Sequence, residues 1–190
     1  MSEPEESWYS FSLPVAIETP RLMLRAWDAS AGRVLKDAID RNLEHLQAWM
    51  PWAMEEPSPL HVIEERIALF AATFVTGPHW GYMIFLRGET PMIGSIGLHA
   101  RIGPRALEIG YWLDAAHLRR GYMTEAAQAI THLALSLPDV DRLEIRCDPA
   151  NVASAGVPRR LGYTHVATLE KNAVMPTGAP RDTMVWELTR

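Results

Sequence analysis

Leu107-Glu108-Ile109-Gly110-Tyr111-Trp112-Leu113-Asp114, followed by Leu118-Arg119-Arg120-Gly121-Tyr122-Met123-Thr124-Glu125-Ala126-Ala127, decides the reading of this chain. The first part reads as a strand, the Arg119-Arg120-Gly121 step as a tight basic turn, and Tyr122 onward as the start of a helix. Backbone N–H groups at a helix N-terminus have no intrahelical partners, and the helix dipole puts partial positive charge there. A phosphate is therefore favoured in the turn, and Gly121 lets it approach closely.

The rest of the composition sets bounds. A chain of 190 residues that is 48% apolar can bury a full core, and one domain over residues 13–190 is the simplest organisation. Residues 1–12, opening Met1-Ser2-Glu3-Pro4-Glu5-Glu6, are polar and acidic and read as a loose arm that orders where Trp8 or Phe11 docks. That acidic start lacks the basic region of a secretory signal, and no apolar run spans a bilayer, so a cytoplasmic protein without a membrane partner is expected. The single Cys147 excludes an internal disulfide and a cysteine-based zinc site, and reads as an inert core thiol. The net charge of -5 argues against a nucleic-acid partner and suits a cationic substrate.

Along the chain, Leu22 and Leu24 alternate with Arg21, Met23 and Arg25 in a first strand, and Asp28 or Ser30 can cap a helix carrying Val34, Leu35, Ala38 and Ile39. A second helix holds Leu43, Leu46 and Trp49 before Pro51, and a third runs from about His61 to Phe74. Strands 80–86, 92–99 and 106–113 form a meander. Then come a helix from Thr124 to Leu137, a strand from Arg142 to Cys147, a helix from about Val152 to Leu161, and strands at 163–169 and 183–188. A meander followed by helix–strand alternation implies a mixed α/β sheet.

The Glu108–Ala127 segment resembles the acyl-CoA signature of the GNAT (Gcn5-related N-acetyltransferase) superfamily, Gln/Arg-x-x-Gly-x-Gly/Ala, and its flanks resemble the RimJ/RimL-type branch. Gly121 holds the first glycine position, whereas Leu118 and Met123 replace the usual polar and small residues. Thr19-Pro20-Arg21-Leu22-x-Leu24-Arg25 is similar to that branch's opening. The resemblance implies a GNAT fold of the α/β (α+β) class: a mixed, mostly antiparallel sheet flanked by helices, splayed between the strands that carry the acyl-CoA site. It implies acetyl-CoA as co-substrate, with Arg119, Arg120, Gly121, Tyr122, Met123 and Thr124 around the pyrophosphate. The pantetheine arm would then pair with the Tyr111, Trp112 and Leu113 backbone, and Trp112 or Leu113 N–H would meet the thioester carbonyl.

A second constellation, Asn151-Val152-Ala153-Ser154 through Leu161-Gly162-Tyr163, resembles the GNAT pattern Asn-x-x-Ser-x-x-x-x-x-x-Leu-Gly-Phe/Tyr, whose asparagine bonds the pantetheine arm. Many GNAT enzymes place a thiolate-protonating tyrosine seven residues after that asparagine; here Pro158 stands there, so Ser154 is the remaining catalytic candidate. The alternative is that Ser154 only lines or caps the helix. Pro158 cannot donate to the Ser154 carbonyl, and so should bend the helix or leave that carbonyl for water or ligand. Arg159 and Arg160 could reach CoA phosphates or only close the helix end.

Acyl transfer to an ammonium requires loss of a proton first, and RimJ/RimL-type enzymes place a proposed base glutamate at the position of Glu108. The alternative is a strand glutamate ion-paired with Arg101 or Arg105. The run His45 to Glu56 resembles a segment near that branch's acceptor entrance. Trp49, Trp52 and Glu55 suggest an aromatic wall with an acidic rim, or alternatively a core tryptophan beside a solvated turn. The thirteen-residue connection Glu170–Asp182 is the other candidate wall. The seven histidines form no ligand pair, so no metal is expected, and no hydrolase elbow, Walker or dinucleotide motif is present. What is implied is direct acetyl transfer in a ternary complex to a primary amine: a peptide or protein N-terminus, or alternatively a small-molecule amine. A non-catalytic acyl-CoA sensor is the reading of a different class, and a monomer or homodimer is expected.

Overall fold

The computed structural model describes residues 11–174 and 178–190. Eight strands form one sheet in the order β1-β2-β3-β4-β5-β6-β8-β7. They are β1 (Ala16–Glu18), β2 (Leu22–Ala26), β3 (His79–Leu86), β4 (Met92–His99), β5 (Ala106–Leu113), β6 (Arg142–Cys147), β7 (Thr164–Val174) and β8 (Pro180–Thr189). Every neighbouring pair is antiparallel except β5 and β6, which are parallel and joined by a helical crossover. This is the mixed, mostly antiparallel sheet that the meander and the helix–strand alternation imply.

Among the described residues five helices flank it: α1 (Gly32–Asp40), α2 (Leu43–Gln47), α3 (Leu60–Thr76), α4 (Tyr122–Ser136) and α5 (Val152–Arg160). The period-2 pattern of the strands sends alternate side chains into two cores. Trp80, Tyr82 and Ile84 of β3 join Leu107 and Ile109 of β5 and Ile130 of α4 in the larger one. Met83 and Phe85 face the other way, against Leu35, Ile39, Leu46, Ile63 and Ile67 of α1–α3. Trp112 packs against this second core and Tyr111 against the first, so β5 feeds both faces. Phe11 docks on Trp80 at 5.0 Å between ring centroids, while Trp8 and the rest of the expected arm lie outside the described residues.

Three boundaries differ from the sequence reading. Asp28 caps a short 3-10 turn, Ala29–Ala31, rather than α1 itself. Trp49 lies beyond α2, which ends at Gln47 and is followed by a second 3-10 turn, Pro51–Glu55. The expected loop Glu170–Asp182 is mostly strand, because β7 runs on to Val174 and β8 starts at Pro180. Lys171 takes φ 48° at an irregularity in that hairpin, which lets the pairing continue past the polar run.

The β5–β6 ladder is short. It pairs Ala106 through Ile109 with Arg142 through Ile145 and then stops, although β5 continues to Leu113 against β4 and β6 continues to Cys147 against β8. The sheet therefore splays after Ile109, leaving the Gly110–Leu113 edge facing the gap.

Candidate functional site

A cleft of about 880 Å³ occupies this splay. Its floor is the Tyr111–Leu113 edge of β5. One wall is the Leu118–Thr124 turn with the start of α4, another the start of α5 from Asn151 to Ser154, and the far end reaches His45, Leu46, Trp49 and Met50 around α2.

The turn is built for an anion. Arg119 and Gly121 both adopt left-handed backbone, at φ 60° and 80°. Such alternation turns successive N–H groups inward. Gly121 is the N-cap of α4, and no side chain caps the first turn, so its donors are left for a ligand. A cation arrives from the other end of the chain: Arg21 Nη2 would lie 3.4 Å from a Cβ on Gly121. Arg21 is fixed by three partners. Its Nε donates to Glu125 Oε2 at 2.6 Å, its Nη1 donates to the Arg120 carbonyl at 2.9 Å, and its guanidinium lies 4.7 Å from the Tyr122 ring centre. Burial raises the Glu125 pKa, but hydrogen bonds from Thr19 and Arg21 outweigh it and hold the carboxyl below the usual range. The sequence reading used Arg21 only as a strand signal, and its place in the motif Thr19-Pro20-Arg21-Leu22 was the clue available.

At the opposite wall, Asn151 caps α5, its Oδ1 accepting from Ser154 N at 3.0 Å. Only the Asn151 Nδ2 group can then donate to a ligand. Pro158 lies inside α5 and strips the Ser154 carbonyl of its helical donor. Tyr111 supplies the replacement: its hydroxyl donates to Ser154 O at 3.1 Å and accepts from Ser154 Oγ at 3.3 Å. The carbonyl freed by Pro158 thus goes to a protein hydroxyl from β5 rather than to water or ligand. Burial pushes the Tyr111 pKa well above the ordinary phenol value, and the Cys147 thiol up as well, so both keep their protons. Cys147 is buried, as a core thiol should be.

The remaining candidates divide. Tyr111, Trp112, Leu113, Arg119, Gly121, Tyr122, Met123, Thr124, Asn151, Ser154, Arg160 and Trp49 line the cleft. Met123 does so while its side chain is in the core, which leaves its backbone for a ligand. Arg120, Arg159, Trp52, Glu55 and Glu108 are not brought to it. Arg120 offers its carbonyl to Arg21. Arg159 turns to the Trp186 ring, 5.6 Å from its centre. Trp52 and Glu55 sit exposed on the 3-10 turn, but the expected solvated turn does not extend to Glu56, which is buried and accepts from Arg66, and Trp49 lines the cleft rather than the core. Both Glu108 oxygens accept from Arg101, at 2.9 Å and 2.5 Å, which is the ion pair its alternative reading described. The β7–β8 hairpin reaches the α2 end of the cleft, where Arg181 Nη1 donates to the Trp49 carbonyl at 3.2 Å.

Residues 21–164 match the model of the acetyltransferase (GNAT) domain family. The ribosomal-protein-serine acetyltransferase of Escherichia coli (strain K12) is 37% identical over 84 residues, 43% of this chain and 45% of that protein. The uncharacterized N-acetyltransferase YnaD of Bacillus subtilis (strain 168) is 31% identical over 90 residues, 47% of this chain and 53% of that protein. The chain thus matches about half the length of these curated relatives. Among solved structures, RimL, a ribosomal L7/L12 alpha-N-protein acetyltransferase in complex with coenzyme A, superposes with a TM-score of 0.81 and 28% identity, covering 93% of this chain and 96% of that one. With its splayed sheet and basic glycine turn inside the matched segment, the chain belongs to the GNAT acetyltransferase domain family.

Proposed function

We propose that this protein is an acetyl-CoA-dependent N-acetyltransferase whose acceptor is a primary amine, the α-amine of a peptide or protein N-terminus. One observation carries the reading. A single cleft runs from the left-handed Arg119–Gly121 turn, past the unpaired edge of β5 and the Ser154–Tyr111 pair, to the α2 side of the sheet. Donor and acceptor can enter it from opposite ends and meet at β5. The activities named for the ribosomal-protein acetyltransferase relatives support a peptide acceptor.

The residues have separable tasks. Arg21, Arg119 and the first-turn N–H groups of α4 hold the phosphates, with Arg160 at the other side of the cleft. Leu113 N–H, on the edge of β5 turned away from β4, donates to the carbonyl oxygen as it gains charge, a role worth about 10²-fold or more in comparable sites, whereas Trp112 is turned to β4. Acetyl-CoA supplies the acyl group as an activated thioester. Ser154 Oγ, held beside the Tyr111 hydroxyl, donates a proton to the departing sulfur and takes one back from solvent in the cleft. Glu108 is the carboxylate within β5, and its pairing with Arg101 restricts it as a base.

Mass spectrometry of acetyl transfer into a pool of N-terminal peptides, amino acid derivatives, polyamines and amine antibiotics tests the proposal. Label on peptide α-amines supports it. Label confined to small amines replaces it with metabolite or antibiotic acetylation, and acetyl-CoA binding without transfer to any amine replaces it with the sensor. Glu108→Gln should slow turnover steeply with acetyl-CoA binding kept if Glu108 takes the proton; unaltered turnover removes it from that role.

A further inference from the structure

Two segments that line different ends of the cleft are tied together outside it. Asp114, directly after β5, is buried, and so is Asn42, the N-cap of α2. Asp114 Oδ2 accepts from Arg41 Nε at 2.7 Å, and Arg41 Nη2 also donates to the Met92 carbonyl of β4. Asp114 Oδ1 accepts from Ala116 N at 2.8 Å, which caps the 3-10 turn Ala115–His117. Asn42 Oδ1 accepts from Ala115 N at 2.9 Å and so joins α2 to that turn. Burial raises the Asp114 pKa, but hydrogen bonds from Arg41, Asn42 and Ala116 outweigh it and hold the carboxyl at about 2, so the cluster stays charged at working pH.

The cluster leads into both ends of the cleft. From Ala115 the turn runs to its C-cap Leu118 and then into the left-handed Arg119–Gly121 step, where Leu118, Arg119 and Gly121 line the cleft. From Asn42 a run of backbone hydrogen bonds leads the other way. Leu46 N donates to the Asn42 carbonyl at 2.8 Å, and the Leu46 carbonyl accepts from Trp49 N at 3.0 Å and Met50 N at 2.7 Å. Leu46, Trp49 and Met50 line the α2 end. Asn42 uses all four of its polar groups, since its own N–H donates to the Ile39 carbonyl and its Nδ2 to the Ala38 carbonyl, each at 2.9 Å. Helix α2 has only five residues, too few to hold a place by its own hydrogen bonds. Its position is set by Leu46 in the core, by Arg181 on the Trp49 carbonyl at the far end, and by Asn42 at the near end.

We propose that Asn42, held with Arg41 and Asp114, is a positioning residue that sets the α2 wall against the Leu118–Gly121 turn and so fixes the gap between bound donor and incoming amine. This rests on the acetyltransferase reading, with the acceptor entering at the α2 end. Asn42, Arg41 and Asp114 do not line the cleft, so they act through Trp49 and Met50 on one side and the turn on the other. A misplacement of about 1 Å in such a wall costs about 10²-fold in transfer.

The test is steady-state transfer to the amine of the pool that the unaltered protein labels most, with acetyl-CoA calorimetry beside it. Asn42→Ala should raise the acceptor KM about tenfold. Acetyl-CoA affinity should stay within about threefold at full stoichiometry, because the turn keeps Asp114 at its start and Arg21 on the Arg120 carbonyl. A purely structural role would lower kcat and the bound fraction together and leave KM where it was. Arg41→Gln, at a partly exposed side chain, leaves Asn42 in place and should raise the acceptor KM about threefold, a readout that holds even where Asn42→Ala does not fold. Trp49→Ala should raise the acceptor KM by itself, and adding Asn42→Ala or Arg41→Gln should then cost less than about twofold more, because the wall they position is already gone. An unmoved acceptor KM in the Asn42 and Arg41 variants, an equal loss of acetyl-CoA affinity, or full additivity with Trp49→Ala overturns the proposal. An unmoved acceptor KM in Trp49→Ala, or no amine labelled by the unaltered protein, instead removes the reading beneath it, which separates the two failures.

Discussion

Replacing Tyr111 with phenylalanine removes one oxygen that has two jobs: it donates to the Ser154 carbonyl at 3.1 Å and accepts from Ser154 Oγ at 3.3 Å. The Oγ can turn to water in the cleft, but the carbonyl has lost its helical donor to Pro158 and would be left unsatisfied. An unmet buried carbonyl costs about 1–3 kcal/mol, so Tyr111→Phe should destabilise by about 2 kcal/mol. For a chain of this length that lowers Tm by about 4–8 °C. Pro158→Ala restores an N–H four residues after Ser154, aimed at the same oxygen. In that background, Tyr111→Phe should therefore cost no more than about 1 kcal/mol, a coupling of about 1 kcal/mol. Urea unfolding of the four proteins measures it, and any cavity left by Pro158→Ala cancels within the cycle. Identical costs of Tyr111→Phe in both backgrounds would refute the assignment of the Tyr111 hydroxyl as the replacement donor.

Gly121→Val forces a branched side chain into backbone at φ 80°, so acetyl-CoA affinity measured by calorimetry should fall at least about tenfold. Arg21→Ala removes a cation held beside the phosphate turn by Glu125 and Tyr122, and should weaken CoA binding about tenfold while leaving pantetheine, which lacks the phosphates, unaffected. Stability should also depend on pH through His99. Its folded pKa is lowered to about 4 from 6.5, so the unfolded chain protonates first as pH falls. The contribution is full above pH 6.5 and lost between 6.5 and 4, at most about 3 kcal/mol. Urea midpoints across that window should slope in the native protein and flatten in His99→Gln; equal slopes would contradict the neutral buried state.

Strands β3 to β6 were legible because apolar residues facing two cores impose alternation or near-continuous apolar runs. The outer part of the hairpin, Glu170–Val174 of β7 and Pro180–Asp182 of β8, was not: β7 lies at the sheet edge and most of its residues are exposed, so no hydrophobic period marks that extension. Pro180 read as a loop residue, yet proline is tolerated at the first position of a strand, where it stands. β1, three residues long and just ahead of Pro20, offered too little pattern to read. In the site, local chemistry was readable and distant pairing was not. The basic glycine turn ahead of α4 and the pairing of Asn151 with Ser154 at the start of α5 involve neighbouring residues. Pro158 announced a carbonyl without a donor, but naming Tyr111 needed the packing of β5 against α5. Arg21 meets Gly121 through about 100 residues of intervening fold.

The four-residue seam between β5 and β6 has a consequence for how the cleft can move. Among the described residues, it is the main-chain ladder joining β1–β5 to β6–β8. The first block carries Arg21, Tyr111 and the α2 end of the cleft, and the second leads into α5 with Ser154 and carries Arg181, which reaches Trp49. Both ends of the cleft thus draw on both blocks. A change of twist at this four-residue seam would move the two ends together, so its stiffness sets how far the cleft can open.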